Sequence, residues 1–142
     1  MTDNQSISQL TEERIKHLEM LQQIITRMAS NSFLLKGWTV TLVAAILALI
    51  DKTQLHTVGW VALLPILSFW MLDGYFLHQE RLFRKLYDYV RQLPNNSAVD
   101  FDMNTSNVDG SVSCVLGVMF SNTLLFFYLG LVVAVCIVMK FT

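Results

Sequence analysis

VGWVALLPILSFWMLDGYFLHQERLFRKLYDYVRQ, residues 58–92, begins as an apolar run and ends as a basic amphipathic rod. Its first part, 58–77, is about 20 residues of mostly apolar character, enough to cross a hydrocarbon core at about 1.5 Å per residue. Arg81, Arg84, Lys85 and Arg91 then follow within eleven positions. No strong helix breaker separates the two parts, so residues 57–92 read as one continuous helix that leaves a membrane and continues into water.

Two further segments qualify as spans by length and by scarcity of charge. Residues 33–50 contain only Lys36, and residues 120–139 contain no charge at all. The fold class expected is therefore an all-α integral membrane protein with three transmembrane helices and long helical cytoplasmic extensions. Its expected parts are an amphipathic cytoplasmic helix within 1–32, a transmembrane hairpin over 33–77, a basic helix and polar loop over 78–119, and a third span over 120–142. A chain of 142 residues with 54% hydrophobic and 15% charged residues suits a lipid solvent better than water.

Positive charge near span ends is retained on the cytoplasmic side. Arg14, Lys16, Arg27, Lys36, Arg81, Arg84, Lys85 and Arg91 all fall on one side of the three spans, against Lys52 and Lys140 on the other. This division predicts a cytoplasmic N-terminus and an external C-terminus. The N-terminal residues MTDNQSISQLTEER lack the basic flank and apolar core of a cleavable signal peptide. The connection 51–57 is short, so the first two spans should form an antiparallel hairpin.

In such a hairpin Lys36 and Asp73 lie at nearly equal depth, close to the cytoplasmic end, and can neutralise each other. The competing reading has Lys36 snorkelling to the headgroups and Asp73 solvated at the interface. Pro65 removes a donor from the carbonyl of Val61 and predicts a kink or hinge in the second span. Trp60, Trp38, Trp70 and Tyr75 suit aromatic belts at the two interfaces. Gly37, Thr41 and Ala45 give the first span a small-residue face, and Gly130 with Ala134 gives the third another, as helix-packing surfaces. Self-association is expected, because three spans alone enclose little interior.

Outside the spans, Leu18, Leu21, Ile25 and Met28 recur at helical spacing, as do Phe83, Leu86, Tyr87, Val90 and Leu93. Two amphipathic helices that face each other follow from this pattern. Pro94 should end the second, residues 94–110 read as a polar connector, and 112–120 resume an apolar pattern before the Ser121-Asn122-Thr123 step. Cys114 and Cys136 have no ligand spacing and read as reduced thiols in the core.

Asp100, Asp102 and Asn104 imitate the opening of a calcium-binding loop, yet Thr105 stands in place of the turn glycine and Ser111 in place of the closing glutamate. His17, His56 and His78 are scattered without zinc spacing. Nucleophile-elbow, phosphate-loop, zinc-protease and dinucleotide motifs are missing, so neither an enzyme nor a cofactor is expected. A net charge of −1 argues against direct sequence-specific nucleic-acid binding. The patch Arg81, Arg84, Lys85 and Arg91 reads as topogenic charge touching the lipid bilayer, or as a site for an anionic signal.

At NSFLLKGWTVTLVAAILAL, 31–49, and FWMLDGYFLHQERLFRKLYDYVR, 69–91, the chain resembles a widespread family of small bacterial inner-membrane proteins. The likeness extends to DFDMN, 100–104, and FSNTLLFFYL, 120–129. Such proteins look like the small membrane effectors and accessory proteins of antiphage systems, some of which form oligomeric pores, including a type VI CRISPR accessory protein. The resemblance implies a homo-oligomeric inner-membrane pore or channel-like effector under the control of cytoplasmic helices, and it supplies no matched functional residue. The alternative is a membrane-anchored adaptor that recruits a soluble cytoplasmic protein and conducts nothing.

Overall fold

A computed structural model of the chain describes residues 2–49, 59–94 and 100–141. Among them the structure is helical, without strands. The expected external turn, with Lys52 and His56, and part of the polar connector lie outside the described residues.

Helix α1, Thr2–Leu49, runs 48 residues without interruption, roughly 72 Å at 1.5 Å per residue. It holds no proline, and Gly37 is its one glycine, so nothing local breaks the hydrogen-bond ladder. His17, Leu21, Ile25, Ser32, Thr39 and Val43 are buried along it. Their steps of four and seven keep one seam facing a neighbour over the described side chains.

A 3-10 turn, Gly59–Ala62, leads directly into helix α2, Leu63–Gln92. The continuous helix expected over 57–92 is thus a tighter turn followed by α-helix, at least from Gly59 onward. Pro65 lies in the first turn of α2, directly after the 3-10 turn, so the Val61 carbonyl that it leaves without a donor falls where 3-10 winding gives way to α winding. At the other end Leu93 is extended, as the residue before Pro94 must be, and α2 stops there.

Helices α1 and α2 pack antiparallel along their shared length. Val43 meets Ile66 in one apolar cluster, Lys36 and Ser32 meet Asp73, and Leu21 packs with Leu86 and Val90 in a second cluster. At the far end Arg14 donates to the Pro94 carbonyl at 2.6 Å. Numbers rise on one helix as they fall on the other, which is the register of a hairpin. Phe83 and Tyr87 flank the second cluster as the apolar stripe required, while Leu82 is a further buried member of α2's inner face.

The connector closes over this distal cluster. Met103 and Val108 pack onto it, and Phe101, with φ 53°, tilts its ring against buried His17. Asp100, Asp102 and Asn104 each accept the backbone N–H two residues on, at 3.0, 2.8 and 3.0 Å. The alternation that imitates a calcium loop therefore serves successive side-chain-capped turns.

After a 3-10 turn, Asp109–Ser111, come a short helix α3, Val115–Met119, and helix α4, Asn122–Phe141. Leu124, Tyr128, Val135 and Met139 of α4 are buried against the hairpin, in the cluster that also contains Val43, Ala62 and Ile66. Three helical stretches, Thr11–Leu49, Gly59–Gln92 and Asp109–Phe141, are long and apolar enough to cross a membrane. Their outward faces are apolar too: Phe33, Leu64, Met71 and Phe126 are each more than 60% exposed. A surface of that kind calls for lipid or for other helices. Both cysteines contradict a core placement, since Cys114 and Cys136 are exposed. Cys136 follows Val135, which takes the inward position of that turn.

Candidate functional site: a polar cluster binding three helices

Asp73 lies on the inner face of α2 with no solvent exposure, where an unpaired carboxylate would be costly. Three donors surround it. The Ser32 hydroxyl donates to Oδ1 at 2.5 Å, the Lys36 ammonium to Oδ2 at 2.5 Å and the Tyr128 phenol to Oδ2 at 3.1 Å. Lys36 also donates to the Ser32 hydroxyl at 2.8 Å, so that hydroxyl accepts from the cation while donating to the anion.

Each donor is placed by ordinary helix geometry. Ser32 and Lys36 are one turn apart on α1 and present side chains to the same neighbour. Tyr128 stands on the buried stripe of α4, its phenol also 3.3 Å from the Phe69 carbonyl. The Lys36 ammonium sits 6.0 Å from the Phe127 ring centroid, and its side chain keeps 20% exposure, whereas Asp73 keeps none. The cluster thus gathers one acid, one base and two hydroxyls from three helices, with formal charges that cancel.

Beside it, Gly74 marks a close approach of α2 to α3. A Cβ at that position would collide with the Met119 side chain. Trp70, one turn earlier, donates its indole N–H to the Met119 carbonyl at 3.0 Å, stacks on Tyr128 and meets Phe120 edge-on. It therefore packs among helices while staying partly exposed. Trp38, Trp60 and Tyr75 remain outward, 59%, 57% and 48% exposed.

Lys36 and Asp73 are brought together. The small-residue faces are not used inside the protomer: Gly37, Thr41, Ala45, Gly130 and Ala134 are all exposed, and Cβ atoms at Gly37 and Gly130 would meet nothing within 4 Å. Of the basic patch, Arg84 pairs with buried Glu80 at 2.6 Å and Arg91 with Asp88 at 3.5 Å. Arg81 and Lys85 lie on the same side of α2 one turn apart. Among the described residues, no group of three or more His, Cys, Asp or Glu could hold a metal ion.

Ser32 and Tyr128 are absent from the pair read off the sequence. Ser32 is four residues before Lys36, and Tyr128 is the one hydroxyl between residues 124 and 139. A phenol in so apolar a span needs a partner, and that requirement was the available signal. Compared with known proteins, the chain matches no family model, no curated protein and no solved structure.

Proposed function

We propose that this chain is a bacterial inner-membrane effector, N-terminus inside and C-terminus outside, which assembles into a homo-oligomeric pore or channel-like complex controlled by its cytoplasmic helices. Antiphage defence is the setting that the sequence resemblance suggests. The observation that carries the reading is the continuity of α1 and α2: each passes from an apolar stretch into an amphipathic rod without a break. Displacement of the rods by a cytoplasmic protein or an anionic signal is then transmitted to the spans as movement of rigid rods, since no flexible joint absorbs it.

The cluster around Asp73 lies where rods become spans and ties α1, α2 and α4 into one unit. The outward Gly37, Thr41, Ala45, Gly130 and Ala134 offer backbones that a second copy could approach closely. One observation favours the adaptor reading. The intramembrane polar groups of the cluster are satisfied within one protomer, leaving chiefly apolar faces to line an opening, so a pore made from them would have to gate by dewetting.

The test is dye release from liposomes containing the purified full-length chain, together with a voltage-sensitive dye in cells where its biological activity is demonstrable. Release and depolarisation are the results expected of a pore. Full biological activity with neither would replace the pore with the adaptor.

A further inference from the structure

Arg81 and Lys85 share a concavity that a solvated charge run would not have. The segment 111–113, some 30 residues farther along the chain, faces them across a cleft of about 360 Å³ lined by Arg81, Arg84, Lys85, Asp88, Ser111 and Ser113, with Val112 between the serines. That volume falls within the roughly 300–1,000 Å³ of ligand clefts.

The charges in this cleft do not cancel. Arg84 is held by Glu80, and Asp88 by Arg91. Neither Arg81 nor Lys85 makes an ion pair or a side-chain hydrogen bond among the described residues. Like charges four residues apart on a helix repel each other, and an anion bound between them would remove the repulsion. Ser111 donates its hydroxyl to the Val108 carbonyl, whereas the Ser113 hydroxyl has no partner among the described residues and is available to an incoming oxygen. Two cations and a free hydroxyl on opposite walls suit a phosphate.

We propose that this cleft binds the phosphodiester headgroup of an anionic phospholipid. The inference rests on the membrane placement proposed above. Arg81 is four residues beyond the end of the apolar run at Leu77, roughly 6 Å along the helix, and the headgroup layer extends about 5–7 Å beyond the hydrocarbon. The carboxylate of Asp88 lies at the far end of the cleft's helical wall, away from the bilayer, and the cations lie nearer to it. Beyond the other wall, Leu116 and Phe120, three and seven residues after Ser113, are 66% and 61% exposed. Cations above an outward apolar surface suit a headgroup with its acyl chains, where a free phosphate would use the cations alone.

The experiment is native mass spectrometry of the detergent-solubilised full-length chain, titrated separately with phosphatidylglycerol, phosphatidylcholine and inorganic phosphate. Phosphatidylglycerol should be retained in preference to phosphatidylcholine, and R81Q/K85Q should reduce that preference about tenfold or more. S113A should weaken it less, and K16Q, an exposed charge elsewhere on α1, should leave it unchanged. Equal retention of the two lipids, or a preference that survives R81Q/K85Q, would overturn the proposal. Binding of inorganic phosphate that depends on Arg81 and Lys85, without retention of phosphatidylglycerol, would place the ligand in solution and overturn the lipid assignment. Extraction of cell membranes with alkaline carbonate separates the two premises: a chain that washes off fails the placement, and a chain that stays but shows no preference fails the headgroup site.

Discussion

Asp73 and Lys36 illustrate how an ionisable pair is accommodated among apolar helices. The carboxylate has three donors and no solvent, while the ammonium keeps a route outward along its partly exposed side chain. Removing one member strands the other. Lys36→Leu or Asp73→Leu alone should therefore lower thermal stability in detergent by about 2–4 kcal/mol, somewhat below the roughly 3–5 kcal/mol of a fully buried pair because Lys36 is partly hydrated. The double variant should be more stable than the worse single one. Melting curves of the four proteins decide this, and a double variant no better than the worse single would mean that the two residues are not coupled. Tyr128→Phe removes one neutral donor while Ser32 and Lys36 remain, so its cost should be only about 1 kcal/mol.

At the scale of elements, the long helices matter because they are unbroken. Ser30 is exposed on α1, about two turns before the small-residue face begins at Gly37, and its replacement tests continuity without emptying the core. Ser30→Pro deletes a mid-helix bond to the Thr26 carbonyl and should cost about 3 kcal/mol locally. The variant should stay in the membrane fraction yet lose dye release, while Ser30→Ala releases dye at the wild-type rate. Release unchanged in the proline variant would remove the rods from control. The hairpin, the two facing amphipathic helices and the meeting of Lys36 with Asp73 were legible in the sequence, because periodicity and a short connection fix depth. Rotation of α4 against the hairpin was not. Its apolar residues run nearly all round the helix, so nothing in the pattern selects Tyr128 and Val135 as inward or Cys136 as outward. The helix contacts of Trp70 were not legible for a related reason: only the approach of α3 at Gly74 gives its indole the Met119 carbonyl. The start of α winding just before Pro65 was not legible either, because it cannot be read from apolar residues alone.

At the scale of the whole molecule, the sequence order puts eight of ten basic residues on one side of the three candidate spans. Reporter fusions after Lys52 and after Thr142 should both report the external side, and a cytoplasmic C-terminus would mean that α4 does not cross. In a single chain, the outward faces carry small residues on α1 and α4 beside large apolar side chains, while the polar cluster is closed within. If copies associate through those small faces, the rods of neighbouring protomers are brought side by side and their basic clefts repeat around the axis, adding their fields at the membrane surface. The measurement that decides most directly is single-particle imaging of the purified chain in lipid nanodiscs. The expected particle is a closed ring of identical copies with Gly37 and Gly130 at or near the contacts and an apolar constriction on the axis. Monomers throughout, in a preparation that retains biological activity, would contradict an oligomeric pore.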